Sequence, residues 1–473
     1  MESDKNHRHP SISSLSPSPF GEGPGEALSH VYLIGIGGIG MSGLARYFHK
    51  RGCTVTGYDR TRTELTNELE KEGIAITYSD NIEEIPANLH VKTDSALIIY
   101  TPAIPKDSVI LNFFIAKGFE LKKRSQVLGL ISKEMFTIAV AGTHGKTTTS
   151  TMAAHILKHS GFDCTAFLGG IASNYNTNIL FGKNNVMVVE ADEYDRSFLT
   201  LHPDIAIITS MDADHLDIYG NDESVKDGFK LFASQLKKGG TLIHKKGLPL
   251  DKGTTYSASE TADVIAENVC IKNGTFYFDF RTGAVVIKDI ELGLPGLHNI
   301  ENSVGAIQAA LLLGIQPDKI KNALRDFTGI KRRFEYIVKN DQHIFIDDYA
   351  HHPEELRACI TAVRSLYPDK KLTVLFQPHL FTRTRDFVDG FAEVLSMSDE
   401  LLLLDIYPAR ELPIEGVTSE IILNKVTASS SRICGMQESL EIIKSNKPEL
   451  LVTVGAGDID TLVQPLKEIL TNA

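Results

Sequence analysis

The segment from residue 142 to residue 148 has the composition of a phosphate-binding loop. Gly142-Thr143-His144-Gly145-Lys146-Thr147-Thr148 follows an apolar stretch and precedes a helical pattern. Backbone amides of such a loop can surround phosphates, the Lys146 ammonium can neutralise β- and γ-phosphate oxygens, and a hydroxyl, most simply that of Thr147, can hold Mg²⁺. The general pattern requires a glycine where this chain has Val140. A nucleotide site is still predicted, because Gly-Lys-Thr-Thr after a strand is rarely structural.

Acidic and histidine side chains follow two apolar segments downstream of this loop. They are Glu190, Asp192, Glu193, Asp212, Asp214, His215 and Asp217. We predict strands over Val186–Glu193 and Ile205–His215. The carboxyl ends of parallel strands meet at one edge, where α/β proteins bind ligands, and Mg²⁺ prefers oxygen donors. The sequence therefore predicts a metal–phosphate site at this edge.

A second glycine loop lies near the start of the chain. Gly35-Ile36-Gly37-Gly38-Ile39-Gly40 fits the G-x-G-x-x-G pattern between a predicted strand and a helix, and Asp59 ends the next predicted strand, Thr54–Asp59. The glycines let backbone amides approach a pyrophosphate, and the acid can accept a hydrogen bond from a ribose or a base. Any nucleotide diphosphate satisfies this geometry, and a tight turn without a ligand is the structural alternative.

Two segments near the C-terminus combine histidine, arginine and acidic side chains directly after predicted strands. They are Asp347-Asp348-Tyr349-Ala350-His351-His352-Pro353 and Gln377-Pro378-His379-Leu380-Phe381-Thr382-Arg383-Thr384-Arg385. Arginine binds carboxylates in a bidentate manner, and histidine can orient or deprotonate an amine. Arg-Thr-Arg alone is typical of a solvated helix face, but its position after a strand makes an anion site an equal alternative.

Length and composition indicate two or three globular domains. The chain has 473 residues, of which 42% are hydrophobic, and its net charge of −12 argues against a large nucleic-acid-binding surface. No apolar stretch is long enough to span a membrane. The five cysteines are odd in number and widely spaced, which argues against a zinc knuckle or a disulfide framework and fits a reducing cytoplasm. They are Cys53, Cys164, Cys270, Cys359 and Cys434.

Strands alternating with helical segments predict an α/β fold with parallel sheets. Further strands are expected at Ser95–Thr101 and Phe119–Arg124, and a β-rich hairpin is expected over 254–290. Residues 1–28 are rich in Ser, Pro and Gly and read as a disordered tail. The predicted domains cover 29–125, 126–332 and 333–473.

Two phosphate loops in one chain require a common explanation. An oxidoreductase has no use for a magnesium–nucleotide loop. A simple kinase has no use for a separate diphosphate-binding domain, unless its substrate carries a nucleotide. An enzyme that consumes ATP to modify a nucleotide-linked substrate needs both loops. A nucleotide-gated binding protein without catalysis is the remaining alternative.

From His30 onward the chain resembles the Mur ligases of bacterial cell-wall synthesis. The matching segments are GIGGIGMSGLA, AGTHGKTTT, EADEYDRSFL, ADHLDIYG, LPGLHNIENSVGA, KRRFE, DDYAHHPEE and FQPHLFTRTRDF. The resemblance implies three domains: an N-terminal Rossmann-like UDP-binding domain, a central P-loop ATPase domain and a C-terminal Rossmann-like α/β domain that binds the amino acid.

The resemblance also implies roles for individual residues. The UDP-substrate would be bound by Gly35, Gly37, Gly38, Gly40, Asp59, Thr101, Pro102 and Ala103. ATP would be bound by Gly142, Thr143, His144, Gly145, Lys146, Thr147, Thr148, His298, Asn302, Arg333 and Asp348. The metal would be held by Thr147, Glu190 and His215, and the amino acid by Tyr349, His351, His379 and Arg383. The catalytic groups would be Lys146, His215, Arg333 and His351. Many relatives carry arginine where this chain has Leu380, which leaves the amino-acid carboxylate mainly to Arg383.

The implied reaction is the ligation of L-alanine to the carboxylate of UDP-N-acetylmuramate through an acyl phosphate, with release of ADP and phosphate. The implied cofactors are ATP and Mg²⁺, with Mn²⁺ as a substitute. The expected partners are the two substrates and neither nucleic acid nor membrane, and the protein is expected in the cytoplasm as a monomer or weak homodimer. The alternative within the family is a recycling ligase that joins a tripeptide to the same UDP-sugar.

Overall fold

The computed structural model describes residues 28–212, 219–272, 274–409 and 411–471. Its strands form three sheets of five, ten and six strands. Most strand pairs within them are parallel, as expected for apolar strands that are covered on both faces by helices. The α/β fold class predicted from the sequence is confirmed. The predicted N-terminal tail, apart from Leu28, lies outside the described residues.

The first sheet is entirely parallel, with the order β3-β2-β1-β4-β5. Its strands are β1 (His30–Ile34), β2 (Thr54–Tyr58), β3 (Ala75–Thr77), β4 (Ala96–Tyr100) and β5 (Leu121–Lys123). Its helices are α1 (Ile39–Lys50), α2 (Glu64–Lys71), α3 (Val109–Ala116) and α4 (Arg124–Glu134). Because β1 lies between β2 and β4, the loop that follows β1 stands at the point where the strand order reverses, the usual ligand position in such sheets.

The second sheet has the order β15-β14-β13-β12-β11-β10-β6-β9-β7-β8. Its strands are β6 (Phe136–Ala141), β7 (Thr165–Ala172), β8 (Thr177–Leu180), β9 (Val186–Glu190), β10 (Ile205–Ile208), β11 (Thr241–Lys245), β12 (Thr254–Ser257), β13 (Val264–Lys272), β14 (Thr275–Thr282) and β15 (Val285–Leu292). The helices of this part are α5 (Lys146–His159), α6 (Asp222–Ser234), α7 (Leu297–Leu312) and α8 (Pro317–Arg325). Strand β6 pairs in parallel with both β9 and β10, so the ends of these three strands are neighbours.

The third sheet has the order β16-β17-β21-β18-β19-β20, in which only the β16–β17 pair is antiparallel. Its strands are β16 (Glu335–Lys339), β17 (Ile344–Asp348), β18 (Leu372–Phe376), β19 (Glu400–Leu403), β20 (Ser430–Ile433) and β21 (Leu450–Val454). Its helices are α9 (Pro353–Leu366), α10 (Phe381–Asp386), α11 (Val388–Leu395), α12 (Glu420–Leu423), α13 (Met436–Asn446) and α14 (Val463–Thr471).

Several predicted strands are too long. Strand β9 ends at Glu190 rather than Glu193, because the Asp192 carboxylate accepts the Tyr194 N–H and turns the chain. Strand β10 ends at Ile208, and the next residue, Thr209, donates both its N–H and its hydroxyl to the Ala141 carbonyl at the end of β6. Residues 213–215 of that prediction lie outside the described part. Strand β5 covers only Leu121–Lys123, and Arg124 already begins α4.

The chain divides into two compact units. The first comprises the described residues up to 267 together with 279–290 and 301–327, and the second comprises 268–278, 291–300 and the described residues from 328 onward. Within the first unit, residues of the first and second sheets share one buried apolar cluster that includes Leu33, Leu44, Met187, Phe198 and Phe229. The three domain boundaries proposed from the sequence stay a prediction.

The five cysteine thiols are free, as predicted. Among the residues that the structure describes, no helix has both the length and the apolar character needed to cross a membrane.

Candidate active site

The loop after β6 has the backbone conformation of a phosphate cradle. Gly142 and Gly145 have φ values of +140° and +81°, which L side chains rarely adopt. A Cβ at Gly142 would overlap the Thr209 hydroxyl, and one at Gly145 would lie 2.5 Å from Asn302 Oδ1. The glycines are therefore required both for the turn and for the close approach of its neighbours. Helix α5 begins at Lys146, directly after Gly145, so its N-terminal amides face this loop.

The Lys146 side chain is held by its own loop and by a carboxylate. Its Nζ donates to the Gly142 carbonyl oxygen at 2.7 Å and forms an ion pair with Glu193, also at 2.7 Å. Burial alone would lower the pKa of Lys146, but Glu193, Asp192 and Glu190 outweigh it and raise this pKa to about 12. The ammonium is therefore charged at neutral pH. Burial raises the pKa of Glu193 to about 7.

Hydroxyls after β10 fasten the same loop. The Ser210 hydroxyl accepts the His144 N–H at 2.7 Å and lies 2.8 Å from the Thr143 hydroxyl, which in turn accepts the Asp212 N–H at 3.0 Å. The Thr209 hydroxyl donates to the His144 carbonyl. Thr209 and Ser210 were not predicted as site residues from the sequence, although their position directly after β10, a parallel neighbour of β6, was the available signal.

The predicted metal ligands are only partly described. Glu190 ends β9, and its carboxylate packs where a side chain at Gly169 would overlap it. Thr147 lies in the first turn of α5. His215, with Asp214 and Asp217, lies outside the described residues. In the described ranges no group of three or more His, Cys, Asp or Glu side chains forms a metal site. The surroundings of Lys146 nevertheless fit Mg²⁺, because they supply oxygen donors and more carboxylates than ammonium groups.

The first glycine loop uses a carboxylate instead of a lysine. Asp59 Oδ2 accepts the Gly37 N–H at 2.7 Å, and its Oδ1 accepts the Thr61 N–H at 3.1 Å. A Cβ at Gly37 would lie 2.8 Å from Asp59 Oδ2, and one at Gly35 would lie 2.6 Å from Thr101 Cγ2. The structure thus brings Gly35, Gly37, Asp59 and Thr101 together, and their role in binding the UDP-substrate stays a prediction.

Arg124 is a neighbour of this loop that the sequence analysis missed. Its guanidinium occupies the space where a side chain at Gly40 would stand, and its Nη2 lies 3.3 Å from Asp192 Oδ2. A cation beside a predicted diphosphate loop is electrostatically appropriate. The charged sequence Lys-Lys-Arg at the start of α4 was the available signal.

Two of the predicted ATP-binding residues, His298 and Asn302, lie on α7. Asn302 is buried and lies against Gly145 of the phosphate loop, within the first unit. His298 belongs to the second unit, where a Cβ at Gly296 would lie 2.6 Å from its ring. Burial, and then the charge of Arg333, lower the pKa of His298 to about 4. The imidazole is therefore neutral at physiological pH and can take part in neutral hydrogen bonding.

In the second unit, Asp348 shapes the segment that carries Arg333. Its carboxylate accepts the N–H of Phe334 at 2.8 Å and that of Ala350 at 2.7 Å. Arg332 and Phe334 have φ values of +61° and +49°, on either side of Arg333. Burial raises the pKa of Asp348 to about 6. The two backbone hydrogen bonds of Asp348 thus help to hold an uncommon backbone conformation around Arg333.

The predicted amino-acid residues Tyr349, His351 and His379 lie together. The Tyr349 and His351 rings are 5.2 Å apart, and the His351 and His379 rings are 5.6 Å apart. The Arg333 guanidinium lies 5.3 Å from the Tyr349 ring centroid. Glu355, which the sequence analysis did not select, lies 3.7 Å from Arg333 and 3.2 Å from His351 Nδ1. The sequence signal that could have indicated Glu355 was its position in the first turn of α9, four residues after His351.

Arg383 lies on the short helix α10, whose cap is Leu380. Leu380 is buried and has φ of +71°, and its N–H donates to the Tyr407 carbonyl at 3.0 Å. The Leu380 side chain therefore packs into the protein. The predicted contact of Arg383 with the amino-acid carboxylate stays a prediction.

Comparison with known proteins identifies the class to which this fold and site belong. The Mur ligase family catalytic domain matches residues 30–135, the Mur ligase middle domain matches 140–310, and the glutamate ligase domain of Mur ligases matches 332–457. The chain belongs to the Mur ligase family.

Individual relatives indicate which members of the family this chain resembles. The UDP-N-acetylmuramate–L-alanine ligase of Flavobacterium johnsoniae is 51% identical over 94% of this chain and 98% of its own length. The crystal structure of the UDP-N-acetylmuramate–alanine ligase of Thermotoga maritima matches 94% of this chain and 99% of its own, with a TM-score of 0.80 and 26% identity. A murein peptide ligase of Psychrobacter arcticus shares the fold over 94% and 99% of the two chains, with a TM-score of 0.67 and 23% identity.

Proposed function

We propose that this protein is an ATP-dependent ligase that joins L-alanine to the carboxylate of UDP-N-acetylmuramate. The observation that carries the proposal is the phosphate loop with its charged, buried Lys146, in a chain that is 51% identical along almost its full length to an enzyme named for this reaction. The separate glycine loop with Asp59 supports a second, UDP-linked substrate.

The first step makes the carboxylate reactive. A carboxylate is a poor electrophile, so the lactyl carboxylate would attack the γ-phosphate of ATP and form an acyl phosphate. Lys146 would leave its ion pair with Glu193 to neutralise the transferring phosphoryl group, and the loop amides from Gly142 to Thr148 would hold the phosphates. On the basis of the family resemblance, we assign Arg333 to help Lys146 stabilise the negative charge of the transferring phosphoryl group.

Magnesium is expected at the carboxylate edge of β9. Glu190 and the Thr147 hydroxyl would hold it, with His215 as a third ligand by resemblance. When bound, the ion would supply charge neutralisation for the phosphates. Mn²⁺ offers similar coordination and should replace it.

The second step forms the amide. The neutral amine of L-alanine would attack the acyl carbon, and phosphate would leave. Tyr349, His351 and His379 form the cluster to which we assign the amino acid, with Arg383 for its carboxylate. Because acyl phosphates hydrolyse readily, exclusion of water during this step is expected.

The experiment that tests the proposal is release of phosphate from the purified full-length protein, with ATP, Mg²⁺, UDP-N-acetylmuramate or L-alanine omitted in turn. Turnover that requires all four, with an amide product detected by mass spectrometry, is expected. Binding of reduced nicotinamide without ATP turnover would support an oxidoreductase instead.

The recycling ligase is not favoured, because the 51% identical relative is named for the single amino acid. Replacing L-alanine by L-alanyl-γ-D-glutamyl-meso-diaminopimelate in the same assay separates the two activities. We further propose that the enzyme acts in the cytoplasm as a monomer or weak homodimer, which sedimentation would test.

A further inference from the structure

We propose that Glu355 is a positioning residue that, together with the Tyr349 carbonyl, holds the His351 ring in the orientation and tautomer required to accept a proton from the incoming amine. The inference rests on the proposed ligation and adds to it a group that orients the base. Both residues belong to the second unit, and their side chains are largely buried, with exposed fractions of 15% and 18%.

Glu355 contacts His351 at two points. The Glu355 carboxylate accepts the His351 backbone N–H at 3.1 Å, and its Oε2 lies 3.2 Å from His351 Nδ1. The same Nδ1 lies 3.0 Å from the Tyr349 carbonyl oxygen. The ring is therefore held by two oxygen atoms on one side, and the backbone of His351 is tied to the first turn of α9.

These contacts determine where the ring proton lies. A carbonyl oxygen can only accept a hydrogen bond, and a carboxylate also accepts. Nδ1 must therefore carry the hydrogen, and in the neutral ring the lone pair is on Nε2. The Glu355 carboxylate lies on the same side of the ring as the hydrogen on Nδ1. This is the arrangement of a base with an orienting acid.

The surroundings place this base among the residues assigned to the amino acid. The His351 ring meets the rings of Tyr349 and His379 edge to face, at centroid distances of 5.2 and 5.6 Å. Glu355 Oε1 lies 3.7 Å from Arg333 Nη1, so the same carboxylate faces the arginine assigned to phosphoryl transfer. At this distance the Arg333 contact is an ion pair that is longer than a hydrogen bond, so Glu355 is bound more closely to His351.

The proton balance of the step is complete. The alanine ammonium loses one proton to His351 Nε2, and the resulting amine nitrogen forms a bond to the acyl carbon. The bond from that carbon to the phosphate oxygen breaks, and phosphate leaves with the electron pair. The second proton lost by the nitrogen leaves on the phosphate, and the imidazolium releases its proton to solvent after product release.

The test separates amine deprotonation from activation of the carboxylate. Hydroxylamine is unprotonated at neutral pH, so it captures the acyl phosphate as a hydroxamate without needing a base. We expect Glu355→Ala to lower kcat for L-alanine by about 100-fold, in the range found for general bases. Hydroxamate formation with ATP and UDP-N-acetylmuramate should stay within about twofold. His351→Gln should show the same division.

Two further variants complete the design. Glu355→Gln keeps the shape and one accepting oxygen, so it should recover part of the alanine turnover lost in Glu355→Ala, and it is informative if the alanine variant does not fold. Glu354→Gln changes the neighbouring, mostly exposed carboxylate in the same helical turn and should leave both reactions unchanged.

Equal losses of alanine and hydroxylamine turnover in Glu355→Ala would show a merely structural role and overturn the inference, as would unchanged alanine turnover. If the wild-type protein forms neither amide nor hydroxamate, the proposed function itself has failed, and this outcome is distinct from failure of the Glu355 role.

Discussion

The two glycine loops share one architecture but differ in charge. Each connects a buried parallel strand to a helix, β1 to α1 and β6 to α5. In the first loop a carboxylate, that of Asp59, accepts the Gly37 N–H. In the second loop a cation, that of Lys146, is bonded to the Gly142 carbonyl and paired with Glu193. The same turn therefore supports two different kinds of electrostatics.

The difference leads us to expect different roles for the two loops. The first loop offers backbone amides and one acceptor, which suit the binding of a nucleotide that does not react. The second loop offers a cation whose resting partner, Glu193, can be exchanged for a phosphate, which suits stabilisation of charge that develops during reaction. We expect damage to the first loop to affect KM and damage to the second loop to affect kcat.

The largest expected effect follows from Lys146→Ala. Loss of the ammonium should lower kcat by about 10³-fold, as for removal of a preorganised charge-stabilising group. Binding of UDP-N-acetylmuramate, measured by calorimetry, should be retained. Lys133→Ala, which changes an exposed lysine at the end of α4, is the matched control and should leave turnover unchanged. Turnover within tenfold of wild type in Lys146→Ala would show that the loop is not the site of phosphoryl transfer.

A smaller effect is expected from Asp59→Ala. The loop would lose the acceptor of the Gly37 N–H, so KM for UDP-N-acetylmuramate should rise about tenfold, equivalent to about 1.4 kcal/mol. KM for ATP should not change. Asp94→Ala removes an exposed carboxylate near β4 and serves as the control. If Asp59→Ala lowers only kcat, the proposed division between the loops is wrong.

The smallest expected effect is on the free energy of unfolding. It concerns a buried histidine in α5, the helix after the second loop, in comparison with an exposed histidine in α1, the helix after the first loop. In α5 the buried His155 lies 2.9 Å from both the Tyr175 hydroxyl and the Ala323 carbonyl, and burial lowers its pKa from 6.5 to about 4. Between these pH values the unfolded chain binds a proton that the folded chain does not. Stability should therefore fall as the pH falls from 6.5 towards 4, by about 1 kcal/mol for the first unit of pH.

Urea unfolding at pH 6.5 and pH 5.5 measures this effect. His155→Gln should lose that part of the pH dependence, although its stability at pH 6.5 is expected to be lower. His49→Gln, at the exposed end of α1, should behave like the wild type. The same pH dependence in His155→Gln and wild type would show that another group is responsible.

Much of the fold follows from local patterns in the sequence. Apolar runs that are followed by glycine turns, such as that of β6, predict parallel strands. Both glycine loops lie between a strand and a helix, as their motifs indicate. The antiparallel β7–β8 pair was not predicted, because the Gly-Gly sequence within β7 and the Asn-rich turn after it do not show the alternation typical of a half-buried strand.

The site was predictable where a motif names the residue and less so where the fold brings residues together. Lys146 and Asp59 have sequence signatures. Arg124 and Glu355 are distant in the chain from Gly40 and Arg333, and only tertiary structure brings them close. A charged residue in a first helical turn is common on a protein surface, so its type and position alone do not distinguish a functional group.

The hydrogen bonds of Asp348 have a consequence for how family motifs are interpreted. Its carboxylate accepts hydrogen bonds from the N–H groups of Phe334 and Ala350. Arg332 and Phe334, on either side of Arg333, have left-handed backbone conformations. An aspartate at this place can be retained in evolution for the shape of the main chain alone, whatever ligand it meets. Similarity between relatives in this segment then reflects the shape of the main chain as well as ligand binding. A ligase redesigned to bind another nucleotide would need a residue at position 348 that still supports the bend around Arg333.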